Sequence, residues 1–200
     1  PSFASSKSLG SYLNIPYYKV ISGNKDLTFK PRLYFNNKIL AQTEYRQVGK
    51  DYSNDLDFGL LSDNGSNRTH FFSKTRKELD LNLFEESDIS IDIQQVSNDS
   101  YLKSYKPTSP LIDNDNLLTS TINFNGFNDD LSFNTEFIVY ENLSKANNDR
   151  YEYILPSYNV SKSFNNFKNL NGKIEINSSG SIKSYDTNIL EKVNINDFIY

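Results

Sequence analysis

Proline inside a strand-like run does its chemistry by subtraction, because its ring nitrogen carries no hydrogen for the sheet ladder. Two such prolines stand near the start of this chain. Pro16 lies within Tyr12-Leu13-Asn14-Ile15-Pro16-Tyr17-Tyr18-Lys19-Val20, and Pro31 within Leu27-Thr28-Phe29-Lys30-Pro31-Arg32-Leu33. Taken singly, each reads as an edge strand or a bulge. In adjacent strands the pair predicts locally weakened pairing, and the functional form of that reading is a seam meant to open. Reactive side chains are sparse by comparison. His70 is the sole histidine, so a Ser-His-Asp site would rest wholly on it, and its neighbours Thr69, Phe71 and Phe72 suggest a residue near a strand start instead. Glu85 and Glu86, beside Ser87 and Asp88, read as a turn rather than as paired catalytic carboxylates. Asp113 and Asp115 lack the glycine and terminal glutamate of a calcium loop. Asn67-Arg68-Thr69 and Asn142-Leu143-Ser144 match glycosylation sequons, which an Asn- and Ser-rich chain produces by chance. No phosphate-binding glycine loop is present. Zero cysteines exclude disulfides, thiol nucleophiles and thiolate metal sites within this stretch. The expectation is a protein without cofactor or metal and without enzymatic chemistry.

The elements that position the prolines are set by a period of two. Ile89, Ile91 and Ile93 alternate with Asp88, Ser90 and Asp92; Leu131, Phe133, Phe137 and Val139 alternate with Ser132, Asn134 and Glu136; Leu56, Phe58 and Leu60 repeat the pattern. Such alternation belongs to a strand with one apolar and one wet face. Further strands are predicted over about 11–22, 25–35, 38–48, 68–84, 117–126, 150–162 and 172–186. Between them lie turn clusters at residues 22–26, at Asn36-Asn37, at residues 63–67, at Asn128-Asp129-Asp130 and at Asn169-Leu170-Asn171-Gly172. Residues 97–116, with Pro107 and Pro110, read as a long loop between strands, and no segment reads as a convincing helix. The sum is an all-β antiparallel up-and-down meander.

Composition narrows the solvent question. The 200 residues are 36% hydrophobic with net charge -4, yet Tyr and Phe number 14 each, which argues for order despite the polar average. The scattered Lys and Arg form no basic stripe, so no nucleic-acid partner is expected. No stretch approaches the roughly 20 apolar residues of a transmembrane helix, a fact that leaves strand-built membrane proteins open. Alternation by itself does not choose between a soluble sandwich and a transmembrane barrel. Three features tilt toward the barrel: strands of roughly ten residues or more, aromatics near strand ends (Tyr12, Tyr17, Tyr18, Tyr34, Phe35, Phe71, Phe72, Tyr151, Tyr153), and a charged ladder of Lys74, Arg76, Glu78 and Asp80. By the same alternation Lys30, Arg32, Glu44, Arg46, Lys74 and Arg76 become candidates for the lumen face, and one slip of register would reverse each.

Several segments carry a resemblance. Ile15-Pro16-Tyr17-Tyr18, then Asn24-Lys25-Asp26-Leu27-Thr28-Phe29-Lys30-Pro31, then Glu44-Tyr45-Arg46, are similar to the opening strands of the barrel in the LptD family of LPS-assembly proteins. Val96-Ser97-Asn98-Asp99-Ser100-Tyr101-Leu102 resembles that family's Val-Ser-Asp-x-Tyr-Leu/Phe segment, with Asn98 in place of the usual Asp. Tyr158-Asn159-Val160 after Leu155-Pro156 resembles a later strand that also carries a proline.

The resemblance implies that residues 1–200 are a portion of one large outer-membrane β-barrel domain. A periplasmic jelly-roll would precede it and further strands would follow, in keeping with a chain that opens on Pro1, contains no methionine and ends at Tyr200 within an apolar-polar run. It further implies a protein that inserts lipopolysaccharide into the outer leaflet through a lumen and a lateral gate. Its partners would be lipopolysaccharide, an LptE-like plug lipoprotein, periplasmic Lpt bridge proteins and outer-membrane lipid. Pro16 and Pro31, with Tyr17 and Tyr18, match the family's gate strands. Two alternatives stand beside it: another outer-membrane porin or channel barrel, and a soluble secreted β-sheet binding module.

Overall fold

The computed structural model describes residues 1–6, 9–145, 150–165, 172–185 and 190–199. Its strands are β1 (Ser2–Ser6), β2 (Gly10–Asn14), β3 (Tyr17–Ser22), β4 (Lys25–Tyr34), β5 (Ile39–Val48), β6 (Tyr52–Asp63), β7 (Ser66–Leu79), β8 (Glu86–Val96), β9 (Leu117–Phe127), β10 (Leu131–Asn142), β11 (Tyr151–Asn165), β12 (Lys173–Tyr185) and β13 (Leu190–Ile199). They follow chain order through one sheet, β1-β2-β4 and onward to β13, with β3 pairing β4 beside β2. The pairings described are antiparallel, such as β4 with β5 and β11 with β12. The fold is therefore an all-β antiparallel meander, the architecture of part of an outer-membrane barrel wall.

Four expectations are corrected. The run 11–22 is two strands, β2 and β3, divided at Ile15-Pro16, where Pro31 opposite Ile15 cannot return a ladder bond and Pro16 has no donor for the outer edge. The run 68–84 ends at Leu79, and Glu86 opens β8 instead of lying in a turn. A strand at Ser2–Ser6 was not anticipated, since Ser-Phe-Ala-Ser-Ser is too short and polar to signal one. Residues 97–116 contain a helix, α1 (Tyr101–Tyr105). The predicted turn at residues 169–171 lies outside the described residues.

The turns between strands follow their residues. Asn64 and Gly65, with φ of 45° and 91°, make the tight β6–β7 connection that asks for left-handed residues at both central positions. Between β10 and β11 the register slips by one between Glu136 and Ile138, and between β11 and β12 it slips again from Ile154 to Ser157. Both slips leave the extra residue on β11 at Leu155-Pro156, so this proline sits in a bulge, where the ladder does not need its donor.

By compactness the chain divides into two units. The first comprises Pro1–Thr75, Asp92–Leu118 and Asn142–Ser144; the second comprises Arg76–Ile91, Thr119–Glu141 and Lys145–Tyr200. Within the second, Phe84, Phe124 and Phe133 form an aromatic row with ring centroids 5.9 and 5.8 Å apart. Buried Glu141 there accepts from Arg150 (2.6 Å) and Tyr151 (2.8 Å).

The first unit holds the main core, and its location is informative. Leu40, Leu61 and Phe72 are buried on one face of β5–β7, and Tyr101, Leu102 and Tyr105 of α1 pack into the same cluster. The opposite face carries large apolar side chains into the open: Phe58 is 47% and Leu60 39% exposed, whereas their neighbours Asp57 and Leu61 are 0% exposed. Two consecutive leucines on β6 should therefore respond differently to truncation. Leu61→Ala is expected to cost about 2–5 kcal/mol and Leu60→Ala under about 1 kcal/mol. Thermal unfolding of both variants checks this, and equal losses would contradict the assignment of faces.

Candidate functional site: a proline seam beside a covered polar face

The seam is built from β2, β3 and β4. Asn14 pairs with Arg32 and Tyr17 with Phe29, so the register passes unbroken through Ile15 and Pro16 between β2 and β3. The Ile15 N–H donates to the Pro31 carbonyl at 3.1 Å, which makes Ile15 and Pro31 a hydrogen-bonded pair. In such a pair the return bond would run from residue 31 to the Ile15 carbonyl, and Pro31 has no hydrogen to give. Residue 16 then presents its nitrogen to the other side, away from β4. The two prolines thus act on different edges: Pro31 subtracts a bond from the contact between β2–β3 and β4, and Pro16 subtracts a donor from the outer edge.

That outer edge is only partly covered. β1 pairs with β2 from Ser6↔Gly10 to Ser2↔Asn14, and among the described residues β3 pairs with β4 alone. Tyr17, Tyr18, Val20 and Ile21 of β3 are all more than half exposed.

Behind the seam lies the face shared by the charged candidates. Lys30 pairs with Glu44, and Arg46 binds Asp26 through two bonds of 2.9 and 3.1 Å. Arg32 donates to the Tyr105 carbonyl (2.5 Å) and the Tyr34 hydroxyl (3.4 Å), with its guanidinium 4.8 Å above the Tyr12 ring. The structure therefore brings Lys30, Arg32, Glu44 and Arg46 together on adjacent strands. Lys74 and Arg76 fall on β7, the first exposed and the second half-buried.

The deepest polar groups on this face were not anticipated. Gln42 donates its amide to both carboxyl oxygens of Asp57 (3.1 and 2.9 Å) and to the Thr108 carbonyl (2.9 Å). His70 Nε2 lies 3.1 Å from Asp57 Oδ1, and its Nδ1 lies 2.9 Å from the Tyr101 hydroxyl. Because Asp57 acts as acceptor at both oxygens, Nε2 bears the hydrogen toward it, and Nδ1 shares a hydrogen bond with the Tyr101 hydroxyl. Burial, with the Asp57 charge nearby, pushes the Tyr101 phenol above its ordinary range and keeps it a donor. The His70 ring stacks on Phe72 at 4.7 Å and 14°. Gly59 is required beneath it, since a Cβ there would meet His70 Cε1 at 2.2 Å.

An Asp-His-hydroxyl relay has the outline of a hydrolytic site, but His70 and Asp57 have wholly buried side chains and the terminal hydroxyl is a phenol in the core. The network instead fastens residues 97–116 to the sheet. Asn98 begins the fastening by accepting from Ser100 N–H (3.0 Å) and hydroxyl (2.7 Å), which turns the chain into α1. Lys106 ends it in the left-handed region with φ 43°, its N–H returning to the Leu102 carbonyl (2.9 Å). Tyr105 then reaches Asp63 at 3.2 Å, and Asp63 also holds Lys38 at 3.0 Å. Exchanging His70 for Phe keeps the ring but leaves the buried Tyr101 hydroxyl without its partner and takes one of two donor groups from Asp57, at a cost of about 1–3 kcal/mol. Amide exchange across 98–110 should accelerate in His70→Phe while β4 and β5 keep their protection. Unchanged exchange in 98–110 would show that the network does not hold the segment.

No family model matches the chain. Parts of it are similar to curated proteins named LPS-assembly protein LptD: 33% identical over 73 residues, 36% of this chain, in Paraburkholderia xenovorans, 28% over 101 residues, 50% of this chain, in Cupriavidus pinatubonensis, and 33% over 63 residues, 32% of this chain, in Burkholderia lata. These matches span 9%, 12% and 8% of the relatives' own lengths, so the chain is similar, over a limited stretch, to a small part of LPS-assembly proteins.

Proposed function

We propose that the chain supplies wall strands of a large outer-membrane β-barrel that inserts lipopolysaccharide into the outer leaflet through a lumen and a lateral gate. The observation that carries this reading is the inverted alternation of β4–β6. Cross-strand neighbours Leu27↔Tyr45↔Leu56, Phe29↔Thr43↔Phe58 and Pro31↔Ala41↔Leu60 form a largely apolar band. Phe29, Phe58 and Leu60 in it are each more than a third exposed. The opposite face buries Gln42, Asp57 and His70 alongside Leu40, Leu61 and Phe72, beneath α1. A soluble sandwich would turn that band into its core; a membrane wall turns it to lipid and keeps the polar groups inward. The partial similarity to LPS-assembly proteins supports the cargo.

In this reading β2, β3 and β4 are one lip of the gate, with Pro16, Pro31, Tyr17 and Tyr18 at the seam. Lys30, Arg32, Glu44, Arg46, Lys74 and Arg76 face the lumen. An amphiphile needs a polar path for its sugars and a lipid path for its acyl chains, and a seam short of donors parts at lower cost. No reacting group is called for. The partners proposed are lipopolysaccharide, outer-membrane lipid, an LptE-like plug and the periplasmic Lpt bridge.

Depleting the parent protein should remove newly made lipopolysaccharide from the cell surface, and normal surface display would reject the reading. Pro31→Ala returns a donor to the β2–β4 contact, worth about 0.5–1.5 kcal/mol, and Pro16→Ala returns one to the outer edge, where an added strand could use it. The doubly substituted protein should fold and export more slowly, measured as surface lipopolysaccharide after pulse labelling. Wild-type export by that variant would remove the prolines from the gate.

A further inference from the structure

A cavity of about 240 Å³ opens on the polar face beside the seam, lined among others by Asn14, Pro16, Lys30, Arg32, Gln42 and Thr108. Two cations on one strand, two residues apart, point to the same side and share it. Their partnerships differ. Lys30 is paired with Glu44, whereas Arg32 is held by a backbone carbonyl, a phenol and an aromatic ring, and among the described residues no carboxylate lies within ion-pairing distance of it. The Tyr105 carbonyl and the Tyr12 face fix the guanidinium without neutralising it. An oriented, uncompensated guanidinium beside an ammonium is the arrangement that binds a phosphate or carboxylate through charge-assisted bonds. Asp57, the buried acid of β6, is occupied by Gln42 and His70.

We propose that this cavity is a binding site for a phosphate group, held by Arg32 and Lys30 next to Pro16. Within the export reading, on which the choice of a lipid-borne phosphate rests, it is where the headgroup phosphate of the amphiphile is caught on the polar side of the seam. Guanidinium fixes orientation, and Lys30, already near Glu44, shares its charge between the carboxylate and the incoming anion.

The test uses the full-length protein in neutral detergent and three probes: inorganic phosphate, dihexanoyl phosphatidic acid and phosphate-free dihexanoylglycerol. Binding is read by calorimetry in wild type, Arg32→Gln, Lys30→Gln and, as control, Lys50→Gln in an exposed turn. Losses of about tenfold or more are expected in each of the two cavity variants and none in the control. Losses for phosphatidic acid alone assign a lipid headgroup, and losses for inorganic phosphate alone assign a free phosphate; both support the site. Because Arg32→Gln also removes a tie to Tyr105, Lys30→Gln serves as the independent variant, and Arg32→Lys should restore part of the affinity. No phosphate binding by wild type, equal binding by all variants, or equal affinity for dihexanoylglycerol would overturn the site. Failure of the export reading is separate: it would show as normal surface lipopolysaccharide after depletion, whatever the phosphate result.

Discussion

Once Asp57 turns toward Gln42 and His70, the pleat leaves Leu56 and Phe58 no choice but the other side. A strand has a period of two, and a buried hydrogen-bonded carboxylate fixes its phase more firmly than any apolar contact, because the alternative buries an unsatisfied acid or exposes the network. β4 and β5 are tied to the same phase through an unbroken register, Thr28↔Glu44↔Asp57 on one face and Phe29↔Thr43↔Phe58 on the other. The apolar band, the covered core and the clustering of Lys30, Arg32, Glu44 and Arg46 all follow from that phase. His70 extends it to β7 and, through Tyr101, to the segment that covers the polar face.

The seam adds a local exception to this rigid scheme. Register is preserved across Pro16, so the two prolines leave strand alignment intact while thinning the bonds that hold it. Their separate directions matter for the account of a gate. Pro31 weakens a contact internal to the first strands, and Pro16 keeps a donor off the edge where another strand would be added. The anion cavity sits beside this thinned region, and Pro16 forms part of its wall.

Much of this was legible in the residues. Alternation at Leu56, Phe58 and Leu60, and turn residues such as Asn64-Gly65, located β6 and β7, and the two prolines signalled weakened pairing, although the run 11–22 reads as one strand and is two. The buried network was not legible, for a physical reason: Gln42, Asp57 and His70 each look like ordinary polar positions of a half-wet strand, and only tertiary pairing brings them within bonding distance. Two signals were available. Gly59 among apolar-polar alternation announced a close approach, and the apolar spacing of Tyr101, Leu102 and Tyr105 over the predicted loop fits one face of a short helix. β1 lacked any apolar stripe and is defined by its partner alone.

The central claim is that the odd and even positions of β6 meet different media. A nitroxide-bearing amino acid placed singly at positions 53, 55, 56, 58 and 60 of the full-length protein in lipid bilayers reads this directly without disturbing Asp57 or Gly59, by relaxation with oxygen against a water-soluble nickel complex. The account predicts oxygen maxima at 56, 58 and 60 and minima at 53 and 55. A flat profile, or nickel accessibility greatest at 58 and 60, would contradict it.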